Sequence, residues 1–298
     1  FDGDWTAFGP RLTLKDMKLL SQDAPATGSQ PVAEVVIESA ALDIRPLSVI
    51  LPGFPLYNFR IIGANFELLH TENGEFRLSG FGVSNRGTGS GNSALADLAR
   101  VGEVVLENSS LVYRDERHGI DIGFAGIDGR LVLDDDRLST EISASLFDSR
   151  SELSYGEIEA TVLLDLDAEM QINSARWQAS IDSLMLASLQ GKLPENPLMP
   201  LTGWLNAEWW GDWSAAGGHF VRGDNDLNDA WLINEHQDLS LSQLSYRFRW
   251  NFNNTGDWSL HAADLLFDDG EQSWVAPRVS LVRRVNDDLG LWISADEL

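Results

Sequence analysis

The chain has 298 residues, 43% of them hydrophobic, with 46 acidic side chains against 21 basic ones and a formal net charge of −25. That balance argues against nucleic acid, whose phosphates must be neutralised by Lys and Arg, and against an anionic membrane surface for the body of the chain. The absence of cysteine removes disulfides, thiolate catalysis and zinc–thiolate sites.

The chain starts at Phe1 without a charged n-region or an apolar h-region, so a segment of a longer protein is expected. No apolar run approaches the ~20 residues that span a bilayer. Short helices are expected around Ser48 in RPLSVILPG, over NSALADLARV with Ser93 as N-cap, and over IDSLMLASLQGKLP. Elsewhere period-two alternation dominates. Phe66, Leu68 and His70 share a parity, as do Phe76 and Leu78, then Leu111 and Tyr113. Ile120, Ile122 and Phe124 follow, then Leu131 and Leu133, then Leu138, Ile142, Ala144 and Leu146. Later runs are ATVLLDLDAEM, LTGWLNAEWW, GDWSLHAADLLF, APRVSLVRRV and LGLWISA. Polar turns such as RDERHG, NFNNTGD and FDDGE separate them, which predicts successive antiparallel hairpins. Irregular segments are expected at Ser21–Pro31, Gly82–Asn92, Leu193–Pro200 and Ala215–Asp229.

Two stretches share one plan. FRIIGANFELLHTENGEFRLSGF and GEVVLENSSLVYRDERHGIDIGFAGI each carry an apolar strand, a small-residue break (Gly63–Ala64, Ser109–Ser110), an alternating strand, a charged turn and another strand. This suggests stacked modules at about 32–92, 93–182 and 183–298 within one elongated segment.

Motifs with chemistry are weak. Gly89, Gly91 and Ala94 imitate a dinucleotide fingerprint, but the turn is too long and no second parallel strand follows. Asp224, Asp226, Asn228 and Glu235 imitate a calcium loop, but Asp229 stands where the turn glycine is needed, and no metal is expected. The histidines are scattered without ligand spacing, no nucleophile elbow is present, and acid pairs are what so acidic a chain produces by chance. No catalysis and no cofactor are expected. Eleven Trp residues invite a carbohydrate or membrane-interface role, with core packing the default.

The run SQLSYRFRWNF is the sharpest case of alternation. Leu244, Tyr246, Phe248, Trp250 and Phe252 share one face and polar residues the other. Periodicity alone leaves two architectures open: a sheet whose oily face lines a groove, or a closed sandwich or barrel.

The stretch LADLARVGEVVLENSSLVYRDERHGIDIGFAGIDGRLVLDDDRLSTEISASL resembles the central domain of the AsmA-like proteins, in the YhdP branch, with Val105 to Arg114 at the repeating strand motif. The resemblance is clearest over Pro46–Leu146 and departs near Ala215–Asp229. It implies a mainly β fold: an elongated, strongly curved antiparallel sheet, taco-like, built of repeated hairpin modules with a few short helices. It also implies a segment of a periplasmic lipid-transfer conduit, holding phospholipid acyl chains between inner and outer membranes, within a protein anchored in the inner membrane. Groove-lining candidates are Phe66, Leu68, Phe76, Leu78, Leu111, Tyr113, Ile122, Phe124, Leu131, Leu133, Leu244, Tyr246, Phe248, Trp250 and Phe252. The alternatives are an envelope scaffold with a closed β core and possible protein partners, or a Trp-rich polysaccharide-binding module.

Overall fold

Long alternating runs bounded by Asn, Asp and Gly fold here as long strands. The computed structural model describes residues 2–6, 9–20, 33–46, 57–72, 76–78, 102–134, 136–147, 154–167, 171–189, 202–233, 238–254, 256–284 and 290–294. Its strands are β1 (Asp2–Thr6), β2 (Gly9–Leu20), β3 (Ala33–Ile44), β4 (Tyr57–His70), β5 (Phe76–Leu78), β6 (Gly102–Asp115), β7 (Ile120–Asp134) and β8 (Arg137–Phe147). They continue with β9 (Ser154–Leu166), β10 (Ile172–Met185), β11 (Thr202–Ser214), β12 (Gly218–Ile233), β13 (Asp238–Phe252), β14 (Trp258–Asp268), β15 (Ser273–Arg283) and β16 (Gly290–Ser294). The predicted turns work by side-chain capture of free amides. Asn253 Oδ1 accepts from the Asp257 amide at 3.0 Å, and Asp269 Oδ1 accepts from Glu271 and Gln272 at 2.9 and 2.7 Å.

The chain divides into two units. One holds Phe1–Ser154 with Leu166–Gln171 and Lys192–Pro194; the other holds Tyr155–Asp165, Ile172–Gly191 and Glu195–Leu298. In the first, the hydrogen-bonded order is β1-β2-β3-β4-β6-β7-β8, with β5 on β4. In the second it runs from β9 to β16 in chain order. Among the described residues, in neither does the last strand return to pair with the first, so the sheet is not closed.

Three expectations are corrected. The pairing is not antiparallel throughout: β4 and β6 run parallel, from Tyr57↔Gly102 to His70↔Asp115. The reason is that β5 pairs with β4 at residues 68–70, on the edge that β3 uses lower down, which leaves the other edge to β6. Second, the described part of IDSLMLASLQGKLP, residues 181–189, is not an α-helix. β10 runs to Met185 against β11, and only a 3₁₀ turn, Leu186–Leu189, follows. Leu184, Leu186 and Leu189 are buried, and the Ser188 hydroxyl donates to the Met185 carbonyl at 2.5 Å. Among the described residues there is no α-helix. Third, most of Ala215–Asp229 is regular. Ala215–Gly217 turns, and β12 then alternates, with Gly223, Asn225 and Leu227 buried between more exposed neighbours. The helices proposed around Ser48 and over NSALADLARV, the glycine loop near Gly89 and the other three irregular segments lie outside the described residues.

The two sequence stretches with one plan are β4 and β6 themselves, lying side by side and in register. Their breaks align: the ladder passes from Ile62↔Glu107 to Asn65↔Ser110 across Gly63 and Asn108, both left-handed (φ 64 and 46). The break in β6 thus falls one residue before Ser109. Ser109, almost fully buried, ties the strands: its hydroxyl accepts from the Ala64 amide at 3.2 Å and donates to the Glu107 carbonyl at 3.1 Å.

Left-handed residues recur inside the strands at Asp16, Gly126, Ser183, Asp229 and Asp264. In the second unit the non-glycine ones fall in β10, β12 and β14, each beside a register shift against the preceding or following strand. Neighbouring side chains cap the amides such kinks expose. Asp128 Oδ1 accepts from the Asn108 amide at 2.9 Å, and Asn206 Oδ1 accepts from the Ser183 amide at 2.8 Å.

Candidate functional site

Residues directly opposite in a ladder project to one side of the sheet, so the register assigns faces. In the first unit, Phe66 is beside Leu111, Leu111 opposite Phe124 and Phe124 opposite Leu146; Leu68, Tyr113 and Ile122 form the next row. Below the breaks, Val104, Leu131 and Thr140 make one row, and Leu133 faces Leu138. Ile37, Ile61 and Ala64 form the buried centre of this side, with Met17, Phe59, Phe66 and Leu106 packed against them. The sequence-derived lining residues of this unit thus converge on one side of one sheet. Phe76 and Leu78 enter as the backbone partners of His70 and Leu68.

The second unit repeats the arrangement more fully. One row reads Trp177, Gly211, Val221, Trp250, Leu260, Leu281; the next reads Ala179, Trp209, Gly223, Phe248, Ala262, Val279. Ile181, Ala207, Asn225 and Tyr246 follow, then Leu184, Leu205, Leu227, Leu244 and Phe267. Rings sit over glycines. A Cβ on Gly211 would lie 2.1 Å from the Trp177 ring, and one on Gly223 would lie 2.3 and 2.7 Å from Trp209 and Phe248. The polar member, Asn225, is satisfied, since Trp209 Nε1 donates to its Oδ1 at 2.9 Å. Burial pushes the Tyr246 phenol above its ordinary range.

This face is not covered like a core. Trp250 is 45% exposed and Phe252 37% exposed, while Leu244, Tyr246 and Phe248 are half-buried. Among the described residues, extensive backbone approach links only ladder neighbours, apart from the 3₁₀ turn against β11. At one end of the strands lies an open cleft of about 560 Å³. Across it runs a cross-strand row of Trp213, His219, Phe252, Trp258 and Arg283. Its ring centroids are 6.2 Å apart for Trp213–His219 and 6.0 Å apart for His219–Phe252.

Comparison with protein-family models, curated proteins and solved structures finds no match.

The opposite sides are charged. In the first unit Glu103 is held by Arg130 at 2.8 Å, Arg45 at 3.6 Å and the Asn58 amide at 2.9 Å, and Arg60 meets Glu107 at 3.1 Å. In the second, Arg222 lies over the Trp210 ring at 5.3 Å and Arg249 over Phe220 at 4.8 Å. The Trp cluster of β11 therefore splits by parity: Trp209 and Trp213 on the apolar side, Trp204 and Trp210 on the other. Asp224, Asp226 and Asn228 form no loop; they stand at alternate positions of β12, opposite Arg247, Ser245 and Gln243. Glu235 lies outside the described residues.

Sequence reasoning missed one constellation. His70, Asp115 and His118 come together, with Tyr113, at the end of the apolar side of the first unit. Burial pushes the Asp115 carboxyl up, but hydrogen bonds from His118, His70, the His118 amide and Tyr113 outweigh it and hold the group well below the usual carboxylate range. Tyr113 is pushed up, first by burial and then by Asp115. His70 shares the parity of Leu68, which was visible; its meeting with Asp115 depends on the parallel pairing, which was not.

Proposed function

We propose that the apolar sides of these sheets hold the acyl chains of phospholipid, and that the chain is a segment of a periplasmic lipid-transfer conduit of the AsmA-like, YhdP kind. The observation that carries this is the set of mainly apolar rows from β10 to β15 whose rings are left partly open, Trp250 45% exposed and Tyr246 and Phe248 half-buried, backed by a charged opposite side. A soluble protein seldom leaves so large an oily surface open unless something else covers it. Each CH₂ withdrawn from water contributes about 0.8 kcal/mol, so an acyl chain needs no specific partner atoms to be held. Adjacent positions along such rows are nearly equal in energy, which allows the chain to slide. In this reading each sheet curls around its apolar side, and hairpin modules stack to lengthen the trough. The strand bulges support the curl, because bulges bend strands and increase twist. The ring row ending at Arg283 suits the level where tails give way to head groups. The reading places the full protein at the inner membrane with this segment in the periplasm, and it needs no catalysis, cofactor or nucleic acid.

The test is native mass spectrometry of the gently purified chain, with a photo-crosslinking residue at Phe248 as a second readout. Retained phospholipid crosslinked at Phe248 is the expected result. A lipid-free chain that instead retains glycans, or a protein partner without lipid, would overturn the reading in favour of a polysaccharide-binding module or a scaffold.

A further inference from the structure

The end of the apolar side in the first unit carries chemistry that lipid holding does not use. β4 ends at His70, β6 ends at Asp115, and the following turn carries His118. The parallel register sets His70 beside Asp115, and the turn folds His118 back onto the same carboxylate. His70 Nδ1 lies 2.9 Å from Asp115 Oδ2, and His118 Nδ1 lies 2.8 Å from that same oxygen. The three ligand atoms all lie within 4.8 Å of one another. We propose that His70, Asp115 and His118 bind one divalent transition-metal ion of the zinc class.

The donor set selects the ion. Two imidazole nitrogens and one carboxylate oxygen suit zinc and its neighbours, whereas calcium and magnesium take shells of oxygen. The support around the ligands is already built. The Asp115 side chain is only 4% exposed. Its Oδ1 accepts from the His118 amide at 2.9 Å, and the Tyr113 hydroxyl donates to its Oδ2 at 3.1 Å. Such second contacts orient a ligating carboxylate. Ligand atoms at ~2.0–2.2 Å from a tetrahedral ion are ~3.3 Å apart, so the His–Asp spacings of 2.9 and 2.8 Å must open by about half an ångström and the two imidazole nitrogens, within 4.8 Å of each other, must settle to the same separation. His118 can supply this, because its side chain is 53% exposed and stands on a turn. On binding, each imidazole turns its Nδ1 lone pair to the metal and carries its remaining proton on Nε2. Three protein ligands leave the fourth tetrahedral position to water. The bound ion would clip the ends of β4 and β6, the parallel pair whose connection spans residues 71–101.

The test is calorimetric titration of the chelator-treated, dialysed chain with zinc chloride, with cobalt(II) as the spectroscopic probe. The expected result is one ion per chain, a tetrahedral cobalt visible band, and a melting temperature raised by zinc. His118→Ala, at an exposed turn position, should keep the fold but weaken zinc at least about tenfold and abolish both the cobalt band and the thermal shift. His261→Ala, bonded to Ser280 in the other unit, should titrate like the parent. Parent and His118→Ala binding zinc alike, only weak multiple binding, or no binding would overturn the proposal. None of these outcomes depends on lipid, so the site and the lipid reading stand or fall separately.

Discussion

Replacing Trp250 with Asp separates an open oily face from a closed core. Trp250 lies between Val221 and Leu260 and is 45% exposed. For a side chain of roughly 230 Å², about 130 Å² is covered by the protein and about 100 Å² is open. At ~25 cal/mol/Å², loss of the covered part costs about 3 kcal/mol of stability. The open part is worth up to about 2.5 kcal/mol to an acyl chain, roughly 70-fold in affinity. The new carboxylate reaches water at this position, so no burial penalty is added. In a closed core that penalty would add several kcal/mol and approach the whole stability of a typical domain. Urea denaturation followed by circular dichroism measures the first quantity, and displacement of a fluorescent fatty acid measures the second. The expected variant is folded, moderately less stable and poor at retaining lipid. A variant that fails to fold, or one that folds and binds fatty acid like the parent, would refute the reasoning.

Ser109→Ala strands the Ala64 amide between the parallel strands and should cost about 1–3 kcal/mol, read as a lower urea midpoint with unchanged slope. Asn108→Gly keeps the left-handed backbone at no steric cost and should be neutral to mildly stabilising, while Asn108→Val should lose about 1–2 kcal/mol by thermal melting. Gly223→Val drives a side chain into Trp209, Phe248 and the Glu208 carbonyl and should cost at least about 1–3 kcal/mol in the same melt. The Asp43 carboxyl is held below its ordinary range, chiefly by hydrogen bonds from Arg11, one of them 2.9 Å long. Its folded value lies below its unfolded one, so the stability it contributes is present above the ordinary carboxylate range near pH ~4 and is lost as pH falls through the folded value. A pH series of urea midpoints should fall less steeply below pH ~4 for Asp43→Asn than for the parent.

Strand identity was legible wherever one parity was apolar and the other charged. The β13 run is the clearest instance, and Trp209 against Trp210 in β11 shows the same rule resolving a cluster that composition alone could not. Three things were hidden for physical reasons. Pairing partners across residues 71–101 depend on which edge of β4 stays free, so neither the parallel ladder nor the meeting of His70 with Asp115 shows locally. Asp and Asn inside strands look like turn residues, so Asp224–Asp229 reads as a loop; here left-handed Asp229 kinks a strand that continues past it. Leu184, Ala187 and Ser188 imitate helical spacing, yet the pairing of β10 with β11 overrides that local preference.

The kinks at Asn108 and Ser183, each with its captured amide, work like the notches of a key. A strand that slid by two residues would keep its oily side on the same face but would bring its notch opposite the wrong side chain, stranding an amide. Length changes should therefore accumulate in the connections and by gain or loss of whole strands. A single residue inserted between the notch of β6 and Tyr113 would be poorly tolerated, however conservative its chemistry.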